Sequence, residues 1–184
     1  MDILTAINNV AFQYAGGIAS NGLTVAMGYF AESYYVVLAA IALFLFVKKD
    51  KNVFTFAAAT VVLFIISDVL KTLVQEPRPC QVETLSWLNG VCESGFGFPS
   101  NHATVLTGIA LFVKGYRYLN VLYIIWLLIV LFGRVYLGAH YLSDVIAGIA
   151  ISLVVAGIIY RYREQINSFA IKALKPIFGR YWAK

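Results

Sequence analysis

The sequence predicts an all-α integral membrane protein: a bundle of five transmembrane helices with amphipathic helices at both termini, and six spans as the alternative. Three observations carry this. Hydrophobic residues make up 61% of the 184 and charged residues only 12%, far from the balance of a soluble domain. The apolar residues fall into runs near the roughly 20 residues that cross a bilayer. The basic residues cluster in the short connections at one end of those runs, as lysine and arginine do on the cytoplasmic side of membrane proteins. That bias accounts for the formal charge of +5, so no nucleic-acid partner is inferred from it.

Residues 2–27 carry no charge after Asp2, but Asn8, Asn9, Gln13 and Asn21 interrupt them and Gly16-Gly17 weakens a helix. Leu4, Ile7, Ala11 and Tyr14 keep near-helical spacing, which favours an amphipathic helix lying in the interface over a span. The start, with an acid at position 2 and no basic segment before an apolar run, does not read as a cleavable signal. Spans are expected at 29–47, 53–74, 100–113, 119–135 and 141–160, the third and fourth being short. Residues 75–98, with Pro77, Pro79, Asn89, Gly90, Gly95 and Gly97, form the one long loop. The tail, 161–184, reads as a basic interfacial helix broken at Pro176. With no internal repeat or linker, residues 1–184 are expected to form one domain.

In this arrangement Lys48, Lys49, Lys51, Lys114, Arg117, Arg161, Arg163, Lys172, Lys175, Arg180 and Lys184 share the cytoplasmic side. Of the 14 basic residues, that leaves Lys71, Arg78 and Arg134 at the outer ends of spans. Each has an ordinary explanation alone: Lys71 can pair with Asp68, and His140 with Asp144 can make one hydrogen bond along a helical face. His102 can be a structural histidine, and Ser100 a helix cap. Together, however, they put three cations, both histidines, a helix N-terminus and a carboxylate on one face, which is what a phosphate group needs around it.

The spacing Lys71-x6-Arg78-Pro79, then Pro99-Ser100-Asn101-His102, then Arg134-x5-His140-x3-Asp144 resembles the type 2 phosphatidic acid phosphatase and vanadium haloperoxidase superfamily. Its signatures are K-x6-R-P, P-S-G-H and S-R-x5-H-x3-D. The resemblance covers residues 71–144, and two positions depart from it: Asn101 stands for a glycine and Gly133 for a serine. It implies a membrane lipid phosphatase, with phosphate bound by Lys71, Arg78, Ser100, Asn101 and Arg134. Five spans argue against the soluble haloperoxidases. Polyprenyl diphosphate of the undecaprenyl type ranks first among substrates, with phosphatidylglycerophosphate or phosphatidate as alternatives. A lipid phosphotransferase or a non-catalytic lipid carrier are the competing classes. The expected partners are the lipid phosphate and the bilayer.

Within that class two histidines have two tasks. His140, four residues before Asp144, is expected to have one ring nitrogen held by the carboxylate and the other free to attack phosphorus. His102 is left to protonate the leaving oxygen and then activate water. No acidic cluster suggests a metal, and no cofactor is expected. Cys80 and Cys92, an even pair in a loop assigned to the outside, are a disulfide candidate.

Overall fold

The computed structural model describes residues 3–88 and 92–176. The described residues form helices α1 (Ile3–Gly17), α2 (Asn21–Glu32), α3 (Tyr34–Val47), α4 (Asn52–Val74), α5 (Pro79–Val82), α6 (Asn101–Val113), α7 (Arg117–Tyr136), α8 (Leu142–Arg161) and α9 (Arg163–Ala173). No strand occurs among them beyond one isolated bridge, Pro77 to Phe96. Four helical stretches are long and apolar enough to cross a membrane: Asn21–Val47, Asn52–Val74, Arg117–Tyr136 and Leu142–Arg161. The shorter apolar α6 joins them, and the all-helical, multi-span membrane fold expected from the sequence is the fold observed.

The short helix is the central one. Ala103, Val105, Leu106, Ile109, Phe112 and Val113 of α6 are all buried, packed between α4, α7 and α8. Glycines bring α8 against it: a Cβ on Gly148 would lie 2.8 Å from that of Ala103, and one on Gly108 2.8 Å from that of Ala156. Thirteen residues rise about 20 Å, short of the roughly 30 Å hydrocarbon thickness. The N-terminal end of α6, where the signature residues gather, is buried among its neighbours, Ser100, Ala103 and Thr104 being inaccessible.

The N-terminal region differs from expectation. Instead of one interfacial helix over 2–27 and a span from 29, the chain forms two helices, and the first span begins at Asn21. Ser20 caps α2, its Oγ accepting the Leu23 N–H at 3.2 Å. The helix then runs along α7, where Thr24 meets the Tyr136 hydroxyl at 2.9 Å and Met27 packs on Gly133. The break between α2 and α3 falls at Ser33, whose Oγ donates to the Phe30 carbonyl at 2.7 Å and accepts from the Trp126 indole at 3.0 Å. The α1 amides have a task as well: Asn8 Oδ1 accepts the Ser143 N–H at 3.1 Å, in the first turn of α8.

The tail forms the expected helix, α9. Helix α9 docks through a polar residue: buried Asn167 accepts the Thr55 N–H at 3.2 Å, one of the first four amides of α4. Asn89 and Gly90 of the long loop, and Arg180 and Lys184 of the tail, lie outside the described residues.

In the loop, Cys80 and Cys92 form a disulfide with Cα atoms 5.6 Å apart. The segment is seated on the turn after α7, where the Cys80 N–H donates to the Gly138 carbonyl at 2.9 Å. Gly138 has φ +60°, and a Cβ there would lie 2.4 Å from Leu85 Cδ1 and 3.2 Å from Cys80 Cβ. Gly138→Ala should therefore destabilise the fold by about 1–3 kcal/mol through backbone strain and crowding together. Thermal unfolding in detergent would check this, an unchanged midpoint being the contrary result.

Candidate active site

Two connections meet at the N-terminal end of α6. The Gly97 N–H donates to the Glu76 carbonyl at 2.7 Å, so both ends of the long loop are brought together beside Lys71. The turn after α7 folds back on itself, the N–H groups of Ala139 and His140 donating to the Arg134 carbonyl at 3.1 and 3.2 Å. Arg134 and His140, six positions apart, are thus both buried in one place.

His140 lies in this turn, before α8 begins, and so does not share a helical face with Asp144. Its Nδ1 is 2.7 Å from the Gly97 carbonyl oxygen and 3.7 Å from Asp144 Oδ2. A carbonyl only accepts, so Nδ1 carries the hydrogen and donates it to Gly97. This corrects the expectation that Asp144 holds that proton. Asp144 instead turns back to accept the Tyr141 N–H at 2.9 Å, as an acid at the third position of a helix does. Its Oδ1 is buried with no hydrogen-bond partner. Gly97 lets the loop come this close: a Cβ there would lie 3.2 Å from Asp144 Oδ2.

The other ring nitrogen, Nε2, faces Arg78 Nη1 at 3.4 Å. Burial first, then the charges of Arg134, Lys71 and Arg78, holds the His140 imidazole well below its usual pKa, so the ring is neutral at pH 7. It presents an unprotonated nitrogen to a guanidinium.

Arg78 is fixed by the Ala139 carbonyl at 2.8 Å and the Ser94 carbonyl at 3.1 Å. Lys71 does not pair with Asp68; its Nζ donates to the Phe96 and Gly97 carbonyls at 3.0 and 3.1 Å. One Gly97 oxygen therefore serves both Lys71 and His140. Arg134, 2% exposed, donates from Nη2 to Glu93 Oε2 at 2.6 Å, while its buried Nε has no partner. Arg78 Nη1 reaches the same Glu93 oxygen at 3.1 Å. Burial alone raises the Glu93 carboxyl, but the Arg134 hydrogen bond and the two arginine charges prevail and hold it below the usual carboxylate value.

His102 is in the first turn of α6, its ring against Tyr34 and its Nε2 3.2 Å from the Ala31 carbonyl. That nitrogen bears the hydrogen. Ser100 Oγ accepts the Ala103 N–H at 3.4 Å, and Asn101 Oδ1 accepts from the Ser67 hydroxyl. Gly133, where the signature has serine, faces Met27 of α2; a Cβ there would lie 3.3 Å from its Sδ. A hydroxyl there would meet α2.

Lys71, Arg78, Asn101, His102, Arg134 and His140 line one cavity of about 250 Å³, together with Tyr34, Phe64 and Glu93. An apolar cavity of about 420 Å³, walled by Val25, Gly28, Leu88 and Leu137, adjoins it at Ala31, Glu93 and Arg134. Ser100 and Asp144 are buried and do not line the polar cavity. Sequence reasoning missed Glu93 and the Gly97 carbonyl. Among the described residues no three His, Cys, Asp or Glu side chains are placed to hold a metal ion.

Fold and pocket define a multi-span membrane protein with a buried cationic site and two histidines beside it. The chain belongs to the PAP2 superfamily, which matches residues 52–168. It is 26% identical over 130 residues to an undecaprenyl-diphosphatase of Sulfolobus acidocaldarius, covering 70% of this chain and 63% of that protein. To a lipid A 4'-phosphatase of Porphyromonas gingivalis it is 28% identical over 142 residues, covering 70% and 60%. The chain thus spans about three fifths of the length of these two relatives. Its fold is similar to the crystal structure of Aquifex aeolicus LpxE, with a TM-score of 0.71 at 22% identity, covering 82% of this chain and 93% of that one. It is also similar to a transmembrane PAP2-type phosphatidylglycerolphosphate phosphatase from Bacillus subtilis, with a TM-score of 0.70 at 22% identity over 90% and 89%.

Proposed function

We propose that the protein is a lipid phosphatase that hydrolyses a terminal phosphate or diphosphate through a phosphohistidine on His140. The observation that carries this reading is the state of that ring: Nδ1–H is tied to the Gly97 carbonyl, and Nε2 is unprotonated beside Arg78. Nε2 attacks phosphorus while Arg78, Arg134 and Lys71 surround the non-bridging oxygens, whose charge persists throughout phosphoryl transfer. The bond from phosphorus to the lipid oxygen breaks, and His102 delivers a proton to that oxygen. With the Ala31 carbonyl holding Nε2–H of His102, Nδ1 is the nitrogen that takes up and gives that proton. Water, deprotonated by the same ring, then attacks the phosphohistidine and releases inorganic phosphate. Asp144, 3.7 Å from Nδ1 of His140, stabilises the positive charge the ring gains on phosphorylation.

The adjoining apolar cavity takes the first part of the lipid chain, and the short α6 suits a headgroup drawn slightly below the interface. The charge bias supports a site at the outer face and a cytoplasmic C-terminal segment. Polyprenyl diphosphate of the undecaprenyl type remains the first-ranked substrate, supported by the Sulfolobus relative and by a 28% identical undecaprenyl-diphosphatase BcrC of Bacillus subtilis. Relatives named for lipid A and phosphatidylglycerophosphate keep those classes in the test.

The test is phosphate release by detergent-solubilised protein across polyprenyl diphosphate, phosphatidylglycerophosphate, phosphatidate and lipid A. Side chains supply all the positive charge in this mechanism, so release should persist in excess chelator, and vanadate should compete with substrate. A strict requirement for magnesium would overturn the mechanism, and no release from any of the four lipids would overturn the function.

A further inference from the structure

We propose that Glu93 is a specificity-determining residue: its carboxylate occupies the phosphate site of the resting protein, and an incoming headgroup must displace it. One oxygen, Oε2, lies 2.6 Å from Arg134 Nη2 and 3.1 Å from Arg78 Nη1, the two arginines assigned to the phosphate. Their side chains are 2% and 10% exposed, that of Glu93 43%. Two buried guanidinium groups sharing a pocket repel each other unless an anion lies between them, and Glu93 is that anion. Arg134 Nε, buried and unpartnered, shows that the carboxylate fills the guanidinium fork only in part.

The backbone holding this side chain is pinned on both sides. Cys92 is bonded to Cys80, and the Gln81 amide donates to the carbonyls of Glu93 and Gly95 at 3.2 and 3.1 Å. Displacement is therefore a side-chain rotation at the boundary between the polar and apolar cavities, both of which Glu93 lines. What can displace it is set by charge. A terminal phosphate carries about 1.5 to 2 negative charges at pH 7, against one on the carboxylate, and offers three non-bridging oxygens to the two forks. A phosphodiester headgroup carries one charge and two such oxygens, and holds no advantage over Glu93. In a bilayer, phosphodiester lipids greatly outnumber the substrate, and this carboxylate keeps them out of the site.

The inference takes its incoming group from the phosphatase reading, but the seat of Glu93 between the arginines does not depend on it. The experiment uses the full chain in detergent, with inorganic phosphate as the calorimetric probe and short-chain phosphatidylglycerol as the inhibitor. Glu93→Gln removes the charge and keeps the shape, so it should bind inorganic phosphate about tenfold more tightly than the wild type. Phosphatidylglycerol should inhibit it at concentrations that leave the wild type unaffected. Phosphate affinity equal to or below that of the wild type would overturn the proposal and leave Glu93 a structural brace. Should Glu93→Gln not accumulate as folded protein, Glu93→Asp retracts the carboxylate by one methylene and should also gain affinity, with the same contrary result. Tighter phosphate binding in a variant whose wild type releases phosphate from no lipid would overturn the phosphatase reading and not this one. Release by the wild type with no gain in either variant would do the reverse.

Discussion

His140→Ala is expected to lower phosphate release by at least about 10⁴-fold, the scale of losing a nucleophile, and to abolish any acid-labile phosphoenzyme. The expectation rests on the division between the ring nitrogens: Nδ1–H is taken by the Gly97 carbonyl, so Nε2 alone is free to form a bond to phosphorus. His102→Ala should behave differently. It removes the proton donor, so its effect should shrink when the leaving group is already acidic, as when the leaving oxygen belongs to a phosphate rather than an alcohol. The phosphoenzyme should still form in that variant and decay slowly. A depressed pKa also fixes the direction of the pH dependence. The imidazole of His140 stays unprotonated as pH falls through the usual histidine range, so the acid limb assigned to it should lie below about 6.5. A phosphoenzyme still trapped in His140→Ala would refute the assignment.

The cations were legible in the sequence because an apolar chain makes every charge conspicuous: Lys71, Arg78 and Arg134 break the bias that sorts the other basic residues. Both histidines and Asp144 followed from their spacing. Less legible were contacts made by backbone, and the Gly97 carbonyl that holds Lys71 and His140 has no signature in a side-chain alphabet. Asp144 misled because four-residue spacing implies a shared helical face, whereas His140 lies in the turn before α8 and the carboxylate caps that helix. Glu93 belongs to no motif in the sequence, and only tertiary structure sets it between two arginines. The N-terminal amides were read as interruptions of an apolar face, while Asn8 supplies the acceptor that the first turn of α8 lacks. Asn8 and Glu93 are satisfied by partners on other elements, whereas Asp144 is satisfied three residues back, by the N–H of the residue that caps its own helix.

Arg134→Ala is expected to cost about 10²- to 10³-fold in kcat/KM, the scale of removing one preorganised donor to a developing anion. The guanidinium is almost fully buried and rests on Glu93 through Nη2, with Nε unpartnered. A phosphate replacing the carboxylate can take both Nη2 and Nε, a two-point grip that a single ammonium does not reproduce. Arg134→Lys should therefore recover only part of the loss, although it restores the charge. Alanine also leaves Glu93 with Arg78 alone, so stability should fall too, and thermal unfolding alongside kinetics would separate the two effects. If Arg134→Lys matched the wild type in kcat/KM, the charge alone would be sufficient and the two-point grip would be wrong. If Arg134→Ala kept full activity with a lowered unfolding midpoint, Arg134 would be a support for the loop rather than a phosphate ligand.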